Sequence, residues 1–337
     1  MRILVANQTL SLLAGSETYI LTLAKELKRL GHEITAYSPD LGLIAAKLEG
    51  IGVRCVNELA GDGNAQARPF SPILEEAEGS FDVAICSHYE ITRTIRQKFA
   101  NLPIIAICHG ILHSNPNTGE IWPEHPVTDL RVEQYISVSE EVQRLLKNVY
   151  GIDSMIIRNF FDLEKFKPEE IPSRLIPEKP KSILVNSNYW GVESDINRII
   201  KEVADHYEAR FMGVGANFMP ATEIDEVIRE ADIVFGMGRS VLEGLCAGKI
   251  AIVHGRWGTG GVITPESYET LKLTNFSGRP FELGSQQELL PAEEIIRQIE
   301  ASRSIDTFER NQKIVKKNHD VRVAAKQFLE IAEKLIK

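Results

Sequence analysis

Short apolar runs alternate with amphipathic segments from the first residue onward, the pattern of parallel strands joined by crossover helices. Arg2–Asn7 predicts a strand, Glu17–Leu30 a helix stopped by Gly31, and His32–Ser38 the next strand. Leu41–Glu49 and Val53–Val56 repeat the unit, and after a loop near residues 60–72, Phe81–Ser87 and Ile104–Cys108 supply two more buried strands. The first half therefore predicts a doubly wound α/β sheet. Residues 110–128, with three prolines, predict a long loop at its carboxyl edge, where loops often carry function. Gln134–Val138, Glu140–Val149 and Ser154–Arg158 add strand, helix and strand, and the proline-rich stretch Pro168–Pro180 reads as an interdomain linker.

A second series starts at Ser182–Asn186 and runs through a helix at Asp195–His206, a strand at Ala209–Gly213, a helix at Glu223–Glu230 and a strand at Asp232–Phe235. Ile250–His254 is expected to close this second sheet, and helices near Ala292–Ala301 and Val321–Ile336 finish the chain. The segment from Gly236 to Lys249 carries the clearest chemistry. Two glycines let the backbone turn sharply after a buried strand, Ser240 is placed to cap the next helix, and Glu243 lies a turn further on. Free N–H groups at a helix start favour an anion such as a diphosphate, and the carboxylate can accept hydrogen bonds from sugar hydroxyls. A glycine turn in an α/β protein is also commonly just a tight connection.

Composition narrows the setting. The chain has 337 residues, enough for two domains of roughly 150 each. A content of 43% hydrophobic and 25% charged residues is that of a globular protein, and the net charge of −9 argues against a general nucleic-acid binder. Arg93, Arg96 and Lys98 form a small basic group expected on a solvated helix face. Cys55, Cys86, Cys108 and Cys246 stand singly in or beside apolar runs, as buried reduced thiols do. The first residues read as a strand and no apolar run approaches the ~20 residues of a membrane helix, so a cytoplasmic location is expected. No metal-ligand spacing, P-loop or nucleophile elbow occurs, so neither a metal nor another cofactor is expected.

Several segments, in order, resemble one family. Ala14-Gly-Ser-Glu-Thr18 followed by Gly31-His-Glu-Ile-Thr35, then Ile107-Cys-His-Gly110, Ile136-Ser-Val-Ser-Glu140 and Ile157-Arg-Asn-Phe-Phe-Asp-Leu-Glu-Lys-Phe-Lys-Pro168 are similar to the loops and strand ends of family 4 retaining glycosyltransferases. The Gly236–Lys249 segment is similar to that family's nucleotide-sugar loop and helix. The resemblance implies a GT-B fold, with two Rossmann-like domains facing each other across a cleft. One domain would span residues 1–160, joined by the helix at 320–337, and take the acceptor. The other would span 161–319 and hold the nucleotide sugar. Two departures stand out: Phe235 occupies the place of the family's usual first glutamate, and Asn186-Ser-Asn-Tyr-Trp190 stands where an arginine and a lysine usually neutralise the donor diphosphate. The short connection from Gly213 to Asp232 implies a second domain trimmed by a strand.

Candidate residues follow from both lines. Gly15, Ser16 and Glu17 lie in the loop after the first strand, at the edge where open α/β sheets bind ligands, although Ser16 alone reads equally well as an N-cap. His109 ends a strand at the same edge, where an imidazole can meet a sugar hydroxyl or steady charge near the anomeric carbon. A lone strand-end histidine is more often structural, and it is the resemblance that makes His109 a catalytic candidate; His88 and His113 have weaker claims. In the second half, Arg239 is the expected replacement cation for the diphosphate. Gly238, Ser240 and Val241 are candidates for the phosphate turn, Glu243 for the nucleotide ribose, and Asn186 for the donor. Arg256, Gly260 and Gly261 belong to a glycine-rich loop able to approach a sugar closely. Asn275-Phe-Ser-Gly-Arg279 is a polar knot without an evident task.

The expected activity is transfer of a sugar, with retention and without a metal, from a UDP- or GDP-linked donor to a sugar, lipid-linked or small-molecule acceptor. Nucleic acid is not an expected partner; contact with the inner face of a membrane is compatible with a lipid-linked acceptor. Loss of the first glutamate and of the cation pair leaves two alternatives open: a non-catalytic partner subunit with the same fold, or a nucleotide-sugar epimerase.

Overall fold

The structure is a computed structural model that describes residues 1–59, 73–74, 79–114, 121–123, 126, 128–168, 179–187, 194–215, 218, 223–281 and 288–337. The loop expected near residues 60–72, most of the linker from 168 to 180, and Asn188–Trp190 lie outside the described residues. The chain divides into two compact units, Met1–Phe160 with Val321–Lys337, and Phe161–Asp320.

The first unit contains strands β1 (Arg2–Ala6), β2 (Glu33–Tyr37), β3 (Arg54–Val56), β4 (Glu58–Leu59), β5 (Ile73–Leu74), β6 (Val83–Ser87), β7 (Ile104–Cys108), β8 (Leu112–Ser114), β9 (Ile121–Pro123), β10 (Gln134–Ser137) and β11 (Ser154–Ile156). Seven of them form one parallel sheet in the order β11-β10-β7-β6-β1-β2-β3. The chain reverses its direction of travel through the sheet between β1 and β6. Outside the carboxyl ends of strands at such a switch point, open α/β sheets form their ligand crevice. Because helices cover both faces, strands such as β6 and β7 are buried at every residue and read as continuous apolar runs. The segment expected as one long loop contains the short antiparallel pair β8–β9.

Helices α1 (Gly15–Arg29), α2 (Leu43–Gly50), α3 (Tyr89–Lys98) and α4 (Glu140–Tyr150) follow the main strands. In α4, Ser139 caps the start by accepting from the Val142 amide, and Gly151 in the left-handed conformation ends it. One expectation fails on α3. Arg96 does not face solvent: it is buried and donates to Glu133 Oε2 at 2.7 Å, to the Arg131 carbonyl at 2.8 Å and to the Ala100 carbonyl at 2.6 Å. Burial of a charge is tolerated when it is paired and hydrogen-bonded in this way.

The second unit contains β12 (Ser182–Asn186), α5 (Asp195–Tyr207), β13 (Arg210–Val214), α6 (Ile224–Arg229), β14 (Ile233–Gly236), α7 (Arg239–Cys246), β15 (Ile250–Gly255), β16 (Gly258–Val262), α8 (Pro265–Leu271), α9 (Ala292–Ser302) and α10 (Ile305–Asn318). The last helix, α11 (Val321–Leu335), returns to the first unit and packs on α1. The second sheet runs β13-β12-β14-β15-β16, with its switch point between β12 and β14. Ile250–His254 does not close it, because β16 pairs antiparallel with β15 through a tight hairpin at Arg256–Trp257. His254 pins that hairpin. It is fully buried, with Nδ1 2.7 Å from Thr259 Oγ1 and Nε2 3.2 Å from the Ile196 carbonyl. A carbonyl only accepts, so Nε2 carries the proton, Nδ1 accepts from the threonine hydroxyl, and burial pushes the imidazole pKa down to about 4.

Candidate functional site

In the first unit the carboxyl edge of the sheet gathers the candidates from the ends of β1, β6 and β7. His109 follows β7, and its Nε2 lies 3.0 Å from the hydroxyl of Ser87, the last residue of β6. The Tyr19 ring meets it edge-on with centroids 5.0 Å apart, and the His88 ring lies at 5.5 Å. His88 itself has φ 72°, a left-handed value that non-glycine residues adopt reluctantly and that recurs at ligand-binding positions. His113 falls in β8.

Gly15, Ser16 and Glu17 form the first turn of α1. Ser16 is not the cap: Ala14 holds that position and makes no side-chain bond, so the helix start keeps its exposed-dipole character. The Ser16 hydroxyl instead donates to Glu17 Oε2 at 3.0 Å. Glu17 is buried, which raises its carboxyl pKa against the opposing pull of its backbone amide and Ser16. Asn7, at the end of β1, escaped the sequence reading. It is fully buried, donates from Nδ2 to the Thr9 carbonyl at 2.7 Å, and has no partner for Oδ1 among the described residues.

In the second unit Asn186 and Gly236 are register neighbours at the carboxyl ends of β12 and β14, on either side of the switch point. A Cβ on Gly236 would lie 2.8 Å from Ser240 Oγ, 3.0 Å from the Asn186 carbonyl oxygen and 3.2 Å from the Val241 nitrogen, so glycine is required by close approach. Gly238, with φ 55° and ψ −122°, occupies the N-cap position, and α7 begins at Arg239. Ser240 therefore does not cap the helix; it sits within the first turn and bonds back to Met237, donating to the carbonyl at 2.8 Å. Its amide also turns to the Met237 carbonyl at 3.2 Å. The Val241 amide has no acceptor among the described residues and stands beside the space that Gly236 leaves open.

Glu243 and Arg239 differ most from expectation. Glu243 is buried, with Oε2 accepting from Asn186 Nδ2 at 3.4 Å and Oε1 3.5 Å from Arg239 Nε. Burial raises its pKa, with Arg239 and Asn186 pulling the other way. Arg239 is largely buried. Its guanidinium lies 4.4 Å above the Phe161 ring, its side chain is 10% exposed, and its charge faces Glu243. Phe235, in the place of an expected acid, is fully buried against Ile183, Ile200 and Ile252 in the core.

Gly260 and Gly261 also leave the expected loop: both are in β16. A Cβ on Gly260 would strike Leu271 at 2.5 Å, and one on Gly261, where φ is +80°, would meet Gln298 Oε1 at 2.2 Å. Packing explains these glycines. Arg256 does stand at the carboxyl edge, on the hairpin, with its guanidinium 4.5 Å from the Trp257 ring centroid. The 275–279 knot acquires a structural role: the Phe276 carbonyl accepts from the Gly238 amide at 2.8 Å, so this segment braces the glycine turn. Among the described residues no three His, Cys, Asp or Glu side chains gather as metal ligands, and no helix is long and apolar enough to cross a membrane.

Two Rossmann-like domains with these sheet orders define the class by fold: GT-B. Residues 13–165 match Glycosyltransferase Family 4, so the resemblance read from the sequence is shown directly for the first domain. By sequence, no curated protein matches the chain. Among solved structures, HepE of Anabaena in complex with UDP-glucose is similar over 99% of this chain and 100% of its own, at 12% identity and a TM-score of 0.61. Sucrose-phosphate synthase of Thermosynechococcus elongatus is similar over 99% of both chains, at 12% identity and a TM-score of 0.58. An α-glucosyltransferase in complex with UDP and a DNA 13-mer is similar over 99% of both, at 10% identity and a TM-score of 0.56.

Proposed function

We propose that the protein is a retaining glycosyltransferase whose second domain binds a UDP- or GDP-linked sugar and whose first domain receives the acceptor. The observation that carries this reading is the convergence at the second switch point of Asn186, the Gly236–Gly238 turn, the free Val241 amide and the buried carboxylate of Glu243. Solved structures of similar fold hold UDP or UDP-glucose. In this reading the ribose hydroxyls donate to Glu243, and the Val241 amide with the positive end of α7 stabilises charge on the leaving diphosphate. The diphosphate takes the acceptor proton, so no protein nucleophile and no metal ion is required. The work of the protein is positioning and charge stabilisation. In the first domain His109, oriented by Ser87 and Tyr19, holds an acceptor hydroxyl; the net charge of −9 disfavours a polyanionic acceptor.

A second reading, a partner subunit without activity, is favoured by Phe235 in the core and by Arg239 turned onto Glu243. The test is a thermal-shift series with UDP, GDP and their glucose and mannose conjugates, because a ligand of the native state raises apparent stability with the logarithm of its excess. A shift with one base, lost in Glu243→Ala, followed by sugar transfer with retained configuration, supports the proposal. A shift without turnover favours the partner subunit, an epimer formed without acceptor favours the epimerase, and no shift with any nucleotide refutes the donor site.

A further inference from the structure

A diphosphate carries several negative charges, and the cation expected to meet them, Arg239, is 10% exposed with Nε 3.5 Å from Glu243 Oε1. Two other arginines stand at the same edge of the sheet. Arg256, exposed on the β15–β16 hairpin, rests on the Trp257 ring at 4.5 Å and makes no ion pair among the described residues. Arg279 approaches the same ring, with its guanidinium carbon 5.6 Å from the centroid. One indole thus holds two guanidinium groups at this edge of the sheet, each available to cation–π attraction.

The backbone is built to keep them there. Gly278 lies so close to the hairpin that a Cβ on it would sit 2.6 Å from the Gly258 carbonyl oxygen. Two residues earlier the Phe276 carbonyl holds the Gly238 amide of the phosphate turn. Asn275 and Phe276 both adopt left-handed φ values, 53° and 55°, and the buried Phe276 side chain fixes that unfavourable course. Arg279 is therefore tied, through three residues and one hairpin, to the Gly236–Gly238 turn.

Building on that donor-site reading, we propose that Arg256 and Arg279, positioned by Trp257, are the cations that hold the donor diphosphate, replacing the pair missing around Asn186. The specific consequence is discrimination between a nucleoside diphosphate and its monophosphate. Calorimetric titration of wild type with UDP and UMP, or with GDP and GMP if guanine is the base bound, sets the ratio of the two affinities. Arg279→Ala and Arg256→Ala are each expected to weaken the diphosphate about tenfold or more while changing the monophosphate far less, because a hydrogen bond to a charged group is lost. Trp257→Leu is expected to act in the same direction, and Arg279→Lys to recover only part of the loss, since a lysine lacks the planar fork. Circular dichroism melting of each variant separates lost binding from lost folding. Unchanged diphosphate affinity in both alanine variants, with binding abolished in Glu243→Ala, overturns the arginine assignment and leaves the donor site standing. No binding of either diphosphate by wild type overturns both.

Discussion

His254 makes the second domain sensitive to mild acid in a way that can be worked out in advance. In the folded chain its pKa is pushed down to about 4 by burial, whereas in the unfolded chain it has the ordinary value of about 6.5. Between those values the unfolded state binds more protons, so stability is present above the unfolded pKa and is lost as pH falls toward the folded one. With those two constants the loss between about pH 7 and about pH 5 is roughly 2 kcal/mol, and about 3 kcal/mol by pH 4. Glu17 and Glu243, whose pKa values are raised, push the opposite way, so wild type must be compared with a variant that keeps them. His254→Gln removes the titration while leaving an amide in the same cavity. The measurement is native-state hydrogen exchange of the β15 and β16 amides at both pH values. Wild type should lose about 2 kcal/mol of protection more than the variant does. Equal losses in the two proteins would mean that burial does not hold His254 neutral in the folded chain, and the argument would fail.

Three further outcomes follow from separate features. Glu133→Ala should destabilise by about 3–5 kcal/mol, since it leaves the Arg96 guanidinium buried without its carboxylate; a shift under 1 kcal/mol in urea unfolding would show the pair to be dispensable. Gly236→Ala places a methyl 3.2 Å from the Val241 nitrogen and 2.8 Å from Ser240 Oγ, and should abolish any nucleotide-dependent thermal shift; an unaltered shift would separate that turn from the donor site. Cys55, Cys86, Cys108 and Cys246 are all buried, with the Cys55 thiol pushed up to about 12, so a thiol reagent should label none of them in the native protein and all four on unfolding.

The strands were legible because parallel strands covered on both faces leave unbroken apolar runs; β7 and β12 have the bounds their sequence predicts. The Gly236–Glu243 segment was legible in outline because close backbone approach demands glycine. What could not be read is what distant residues decide. Arg96 looks solvated until Glu133, 37 residues away, is folded beside it. Arg239 looks available until Phe161 supplies a ring beneath it. The Gly-Thr-Gly-Gly stretch of β16 has little strand propensity and becomes a strand because its glycines admit Leu271 and Gln298. The Asn275–Arg279 knot stood out without a task, since the placing of Arg279 depends on two left-handed residues, Asn275 and Phe276, neither of them a glycine.

The return of α11 to the first unit orders events during synthesis. Val321, Ala324, Ala325, Phe328, Ile331 and Ala332 belong to the first hydrophobic core, yet the whole of Phe161–Asp320 is translated before them. At about 5–20 residues per second, that interval lasts on the order of ten seconds or more. Throughout it α1 lacks one of its packing partners, while the second unit, contiguous in sequence, is free to complete itself as it emerges. The domain made first is thus the domain finished last, and its core stays open along α1 until the end of the chain is made.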